Sequence, residues 1–187
     1  MNPLSSICII ISFLLLFQCL EGRSSSRSSL ILRSCEEAAK SDPNLSYKLC
    51  LASLEANPKS QNASFEKLVA ISIGLSISNA TKIASKISEL LKGQSYDMQK
   101  YARSCLKDCF QLYMDAVSSL KDAMRALKSR DFATANMEVS SAMDASSTCQ
   151  DGFKEKKGQA SPLTKDNQIF FQLTAFSLAF INMCHGG

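Results

Sequence analysis

Cys109 and Cys149 stand equally far from position 129, and each lies on an apolar stripe that steps by three and four residues. Those steps are the repeat of an α-helix with one buried face. If the chain turns back at Ser129–Arg130, residues equidistant from the turn lie level in an antiparallel pair. The two thiols then meet between neighbouring helices. A bond there closes a loop of about 40 residues, which by chain entropy stabilises the fold by about 4 kcal/mol. Cys105 lies one helical turn away, and a centre at 127 would set it level with Cys149 instead, so level-counting leaves that pairing open. Either bond demands the same thing, two long helices folded back on each other.

The earlier stripe runs Met98, Tyr101, Cys105, Cys109, Leu112, Ala116, Leu120, Ala123 and Leu127, and predicts a helix over about 97–129. The later one, Phe132 through Val139 and Cys149 to Phe153, follows Asp131 as an N-cap and predicts a helix to about 157. A similar segment precedes the pair over about 64–92, ending at Gly93, and another follows from Thr164 nearly to the end. Strand alternation of useful length is absent from the sequence. Four amphipathic helices with short connections predict an all-α fold, an up-down-up-down four-helix bundle over 64–185. Ahead of it, two short helical pieces over about 30–40 and 45–55 are joined by Asp42-Pro43-Asn44 and stopped by Pro58, a small hairpin within 30–60. Cys35 and Cys50 flank its turn and have only each other nearby, and their bond would add about 3 kcal/mol.

The apolar run from Ile7 to Leu16, extending to Leu20 and followed by Gly22 and a Ser/Arg tract, predicts a secretory signal peptide over 1–22. The run is shorter than the roughly 20 residues a spanning helix needs, so no membrane attachment is expected after cleavage. A flexible segment over 23–29 then leads into one domain, 30–187. Cleavage removes Cys8, Cys19 and Glu21, which leaves six cysteines and 21 bases against 16 acids, a net charge of +5. Disulfides persist in a secreted chain. Cys184, counted by level, falls roughly 25 Å of helix from Cys105, so both are expected as free thiols. Asn44, Asn62 and Asn79 each open an Asn-X-Ser/Thr acceptor for N-glycosylation.

Chemistry is hard to assemble from this composition. Tryptophan is absent and the single histidine is His185, third from the end, so neither a Cys/His nor a Ser/His catalytic pair is expected. Glu36 and Glu37 are adjacent on a helix and do not converge. A metal site needs more ligands than the cysteines offer, and no cofactor or metal is expected. The mild basic charge is spread along the sequence and does not argue for nucleic acid. A helical carrier or signalling protein is one alternative, with Phe170, Phe171, Phe176 and Phe180 lining a cavity, although phenylalanines at this spacing ordinarily form core.

Three stretches carry a resemblance. "SCEEAAKSDPNLSYKLCLASLEANPKS", with Cys35, Tyr47, Cys50 and Leu54, resembles the N-terminal cystine hairpin of the plant invertase and pectin methylesterase inhibitor family. "DCFQLYMDAVSSLKDAM" resembles its Cys-x-x-x-Tyr helix, with Cys109 and Tyr113. The segment from Asp131 to Ala179 resembles its closing half, with Cys149, Phe153 and Asn167, and "QDGFKEKKG" is most similar to an invertase-inhibitor branch that includes pollen allergens. The resemblance implies disulfides Cys35–Cys50 and Cys109–Cys149. It implies a bundle with a protruding helical hairpin and an apoplastic or cell-wall inhibitor (a vacuolar destination stays open). The sequence leaves open whether the hairpin pairs with a second copy as a homodimer. The implied partner is pectin methylesterase or acid invertase, bound one to one over the active-site cleft. Invertase inhibitors of this family carry Pro-Lys-Phe at the turn between the middle bundle helices. Here the turn reads Lys128-Ser129-Arg130-Asp131-Phe132, without the proline, closer in style to the pectin methylesterase inhibitors. These five residues are the interface candidates. For pectin methylesterase a helix face is the expected contact.

Overall fold

The computed structural model describes residues 29–93, 100–157 and 160–185. The expected signal peptide over 1–22, and all but the last residue of the 23–29 tract, lie outside the described residues. The first helix, α1, spans 29–41 and is followed by α2, Tyr47–Glu55. A single 3-10 turn at Pro58–Ser60 leads into α3, Phe65–Lys92. The remaining long helices are α4, Lys100–Lys128; α5, Phe132–Lys154; and α6, Thr164–His185. Along the chain α3 to α6 each pack against the next, and α3 closes the ring against α6, while α2 leans on α3 and α6. This is the expected antiparallel bundle with its N-terminal hairpin.

Local chemistry sets the boundaries. Ser46, Ser64 and Asp131 each accept a hydrogen bond from a backbone N–H three residues on, at 3.3, 3.4 and 3.0 Å, and so start α2, α3 and α5. Asp42 Oδ1 accepts from the Asn44 N–H at 2.9 Å, an Asx turn that reverses the chain beside Pro43. Pro58 does more than stop a helix. It opens the 3-10 turn, which Asn57 caps by accepting from the Lys59 N–H at 3.1 Å. The expected start of α4 near residue 97 lies outside the described residues, and its described part begins at Lys100. One boundary differs from the periodicity, since α5 ends at Lys154. Glu155 caps α5 with its N–H on Asp151 O, and the basic run that follows has no apolar position left to bury.

The hairpin is braced within itself by a cystine and tied to the bundle by a side-chain amide. Cys35–Cys50, with Cα atoms 5.7 Å apart, joins α1 to α2. Gln172 on α6 accepts from the Ser46 N–H at 2.8 Å and donates to Asn44 O at 2.9 Å, so one side-chain amide holds the α1–α2 turn by both its groups. Buried Ile31, Cys35, Cys50 and Leu54 join the same core as the bundle.

That core is closed by Cys109–Cys149, whose Cα atoms are 4.9 Å apart between α4 and α5. Beside it, the Tyr113 hydroxyl donates to Asn167 Oδ1 at 2.7 Å, and Asn167 Nδ2 donates to Gln150 Oε1 at 3.0 Å. Three helices thus share one buried polar chain. Tyr113 packs edge-on against Phe170, with centroids 5.2 Å apart, and Phe180 lies against Phe65 at 5.9 Å. Phe170, Phe176 and Phe180 are buried as core, which removes the main feature that a carrier cavity would need. By length and composition α3 could cross a membrane, yet here it packs against α4 and α6. Among the described residues, the two unbonded cysteines sit at opposite ends. Cys105 is buried, with its thiol directed at Gly152 O at 3.4 Å. Cys184 is half-buried, and burial, then the nearby Glu66 carboxylate, push its thiol pKa up against the opposing pull of Arg130.

Two outcomes follow from this packing. Replacing Cys109 and Cys149 together by Ser should destabilise by about 4 kcal/mol, and the Cys35/Cys50 pair by about 3 kcal/mol, read as loss of Tm. Tyr113→Phe strands the buried Asn167 Oδ1 and should cost about 1–3 kcal/mol. Burial, with Asp166 nearby, raises the Tyr113 pKa well above 10, so the neutral phenol stabilises the fold below about pH 10, and that contribution is lost as pH rises further. The stability gap between wild type and Tyr113→Phe should therefore narrow above pH 10 in alkaline melts.

Candidate functional site

The turn joining α4 to α5 projects from one end of the bundle, and hydrogen bonds fix its shape. The Asp131 N–H donates to Ala126 O at 2.9 Å and the Arg130 N–H to Leu127 O at 3.0 Å. This pair of bonds is a Schellman stop, which needs a left-handed residue at its penultimate position. Glycine usually fills that place. Here it is Arg130, at φ 58°. A non-glycine residue in this region costs roughly 1–2 kcal/mol. Arg130 offsets part of that by pairing its guanidinium with the Glu66 carboxylate at the start of α3, in an exposed contact worth about 0–1 kcal/mol.

Asp131 then starts α5. Hydrogen bonding by the Thr134 side chain, and then by the Thr134 N–H, holds its carboxyl pKa below the usual range. The carboxylate therefore stays ionised in mildly acidic solution, and its capping contribution is lost only as pH falls through that lowered value. Lys128, Ser129, Arg130 and Asp131 are exposed. Phe132 is half-buried and packs against the core, so among the five interface candidates it is chiefly a foot for the turn. Beside the turn lies a groove of about 300 Å³, lined by Glu66, Lys67, Ala70, Met124, Leu127 and Phe132 among others. The five candidates are thus brought together on one rigid projection. Their partner Glu66 was missed by the sequence reading, because it lies 64 residues away from Arg130.

The acceptor asparagines occupy different settings. Asn44 and Asn62 are exposed in turns. Asn79 lies inside α3, half-buried, with its Oδ1 out of solvent and without a hydrogen-bond partner. Among the described residues, no group of three or more His, Cys, Asp or Glu is placed to hold a metal.

With the cystines, the Tyr113–Asn167 pair and the turn in view, comparison with known proteins is decisive. The model for "Plant invertase/pectin methylesterase inhibitor" matches residues 29–180. The chain belongs to this family. It is 43% identical over 157 residues to a "Putative invertase inhibitor" of Platanus orientalis, covering 83% of this chain and 90% of that one. It is 36% identical over 156 residues to "Pectinesterase inhibitor 12" of Arabidopsis thaliana, covering 83% and 87%. A crystal structure of a mutant pectin methylesterase inhibitor from Arabidopsis superposes with a TM-score of 0.63 at 24% identity, over 73% of this chain and 89% of that one, which supports the fold. Family membership makes the protein an enzyme inhibitor and not itself an enzyme, and it disfavours the carrier alternative.

The left-handed arginine yields a sharp stability test. Arg130→Gly relieves the backbone and loses the exposed pair, whereas Arg130→Ala loses the pair and keeps the strain. The Gly variant should melt higher than the Ala variant, by about 1 kcal/mol of stability. Equal melting would mean that the turn relaxes out of the left-handed form.

Proposed function

We propose that this protein is a secreted, apoplastic inhibitor that forms a one-to-one complex with a plant cell-wall enzyme, pectin methylesterase or acid invertase, and covers its active-site cleft. The match to the family model over nearly the whole described chain carries this reading. The physical argument for the mode of action is preorganisation. Binding costs side-chain and loop ordering. Two cystines, a Schellman stop and a capped helix start leave little to order on this partner. Inhibition by occlusion then needs no bond making, only a surface that excludes substrate.

The exposed turn is the proposed wedge, with Arg130 as the anchor, since arginines at the centre of an interface carry a large share of affinity. The basic head is held out by the Schellman turn, and Glu66 limits its swing. A helix face beside the groove would extend the contact where the enzyme is pectin methylesterase. A second copy could dock through the hairpin, where Leu32 and Tyr47 are 40% and 36% exposed.

Titration of the purified chain against a pectin methylesterase and an acid invertase tests this. At least one activity should fall linearly to an equivalence point near one inhibitor per enzyme, and Arg130→Ala should raise the inhibition constant about tenfold without loss of fold. Binding that spares both activities would refute the reading in favour of a carrier or signalling role. Sedimentation of the free chain reports on the hairpin pairing.

A further inference from the structure

The net positive charge of the described residues is gathered at one end. Take the half of the bundle away from the α4–α5 turn: α3 from residue 80, α4 to residue 113, α5 from residue 145 with its following turn, and α6 to residue 174. It holds ten Lys or Arg against five Asp or Glu. The other half, turn included, holds five against six, and the hairpin region before α3 holds four against four. Among these bases, Lys86 is tied to Asp166 at 2.6 Å and Lys154 to Asp151 at 2.9 Å. On α4, Lys100, Arg103 and Lys107 step by three and four, all exposed. They form one row about 10 Å long on a rigid helix. Lys154, Lys156 and Lys157 add charge at the end of α5, across a groove lined by Asp108, Asp151 and Glu155, with Lys156 held 5.4 Å above the Tyr101 ring.

We propose that this end of the bundle binds a carboxylate-bearing polysaccharide, the polyuronate that ester hydrolysis of pectin leaves behind. The inference deepens the proposed function and rests on its cell-wall setting. A row of separated, exposed charges without a converging pocket does not suit a small anion. It suits a polymer that repeats its charge, because weak contacts on one strand add as effective concentration. Single exposed pairs are weak and screened by salt. The row also lies at the opposite end from the turn, about 37 Å along α4 from Arg103 to Lys128. The chain could therefore rest on the product polymer while its wedge reaches an enzyme.

The test is binding of the intact protein to immobilised polygalacturonate at about 50 mM salt, with fully methyl-esterified pectin as the uncharged control. Two triple variants remove equal charge, K100Q/R103Q/K107Q from the row and K67Q/K121Q/R125Q from the other end. Circular dichroism melts confirm that both fold. The wild type should bind polygalacturonate, release with salt and ignore the esterified polymer. The row variant should bind about tenfold more weakly, and the control variant less than twofold more weakly. Equal losses in both variants would reduce the effect to net charge and overturn the proposal, as would no binding by the wild type or equal binding to both polymers. The assay contains no enzyme, so failure here and failure of the inhibition titration are read separately.

Discussion

The bond between Cys109 and Cys149 sets the register of α4 on α5, and most other contacts depend on that register. It places Tyr113 one helical turn farther along α4, facing Asn167 on α6. Asn167 in turn reaches back to Gln150, the neighbour of Cys149. A covalent link and a buried polar chain therefore join three helices at one level. A half-satisfied chain of this kind would be worse than an apolar core, because an unpaired buried amide costs more than a good hydrogen bond returns. A shift of α4 by one turn would strand Asn167, so the polar chain selects the Cys109 pairing over the Cys105 pairing that level-counting left open. Cys105 instead lies against Gly152 O as a small buried side chain.

That register then determines the turn. With α4 and α5 locked, only Ser129, Arg130 and Asp131 separate the helices, and the chain must reverse within that length. The Schellman stop does so with a left-handed residue, and the sequence places arginine there in the absence of glycine. The departure from the preferred residue falls at a solvent-facing tip, where glycine would relieve the strain. The lowered Asp131 pKa keeps its cap in place through mildly acidic conditions, and the pairing to Glu66 adds a second contact that holds the tip.

Much of the fold was legible because helical burial is periodic and local. The stripes through Ile73, Cys109, Val139 and Phe176 located four helices, and hairpin symmetry brought Cys109 level with Cys149. What stayed hidden is non-local or lacks a composition signal. Gln172 clamps a turn 128 residues away, and Glu66 meets Arg130 across 64. The left-handed Arg130 could not be read because the usual cue is a glycine that is missing. The 3-10 turn after Pro58 is too short to show a period. Phe132 was ambiguous between anchor and core because a stripe reports one buried face but not how deeply its last member sits. Asn79 passes a three-residue motif that carries no information about burial in α3.

The charge distribution was illegible for a related reason. Along the sequence the bases look evenly scattered, with none concentrated enough to suggest nucleic acid. An up-down-up-down fold brings the end of α3, the start of α4, the end of α5 and the start of α6 to one place. Three modest excesses, on α3, α4 and α5, are separated in the chain and add there into one. The same alternation puts the α4–α5 turn at the far end, where the balance is slightly acidic. A fold with parallel helices would not make this separation. The topology that lets a small bundle stand on two cystines also gives it two chemically unlike ends, one a shaped tip with a single strained arginine and the other a broad basic face. A shaped tip suits a cleft, where complementarity counts. A broad charged face suits a flexible polymer, where repetition counts. Because the helices between them are held by the buried Tyr113–Asn167–Gln150 chain, neither end needs to change shape for the other to be occupied.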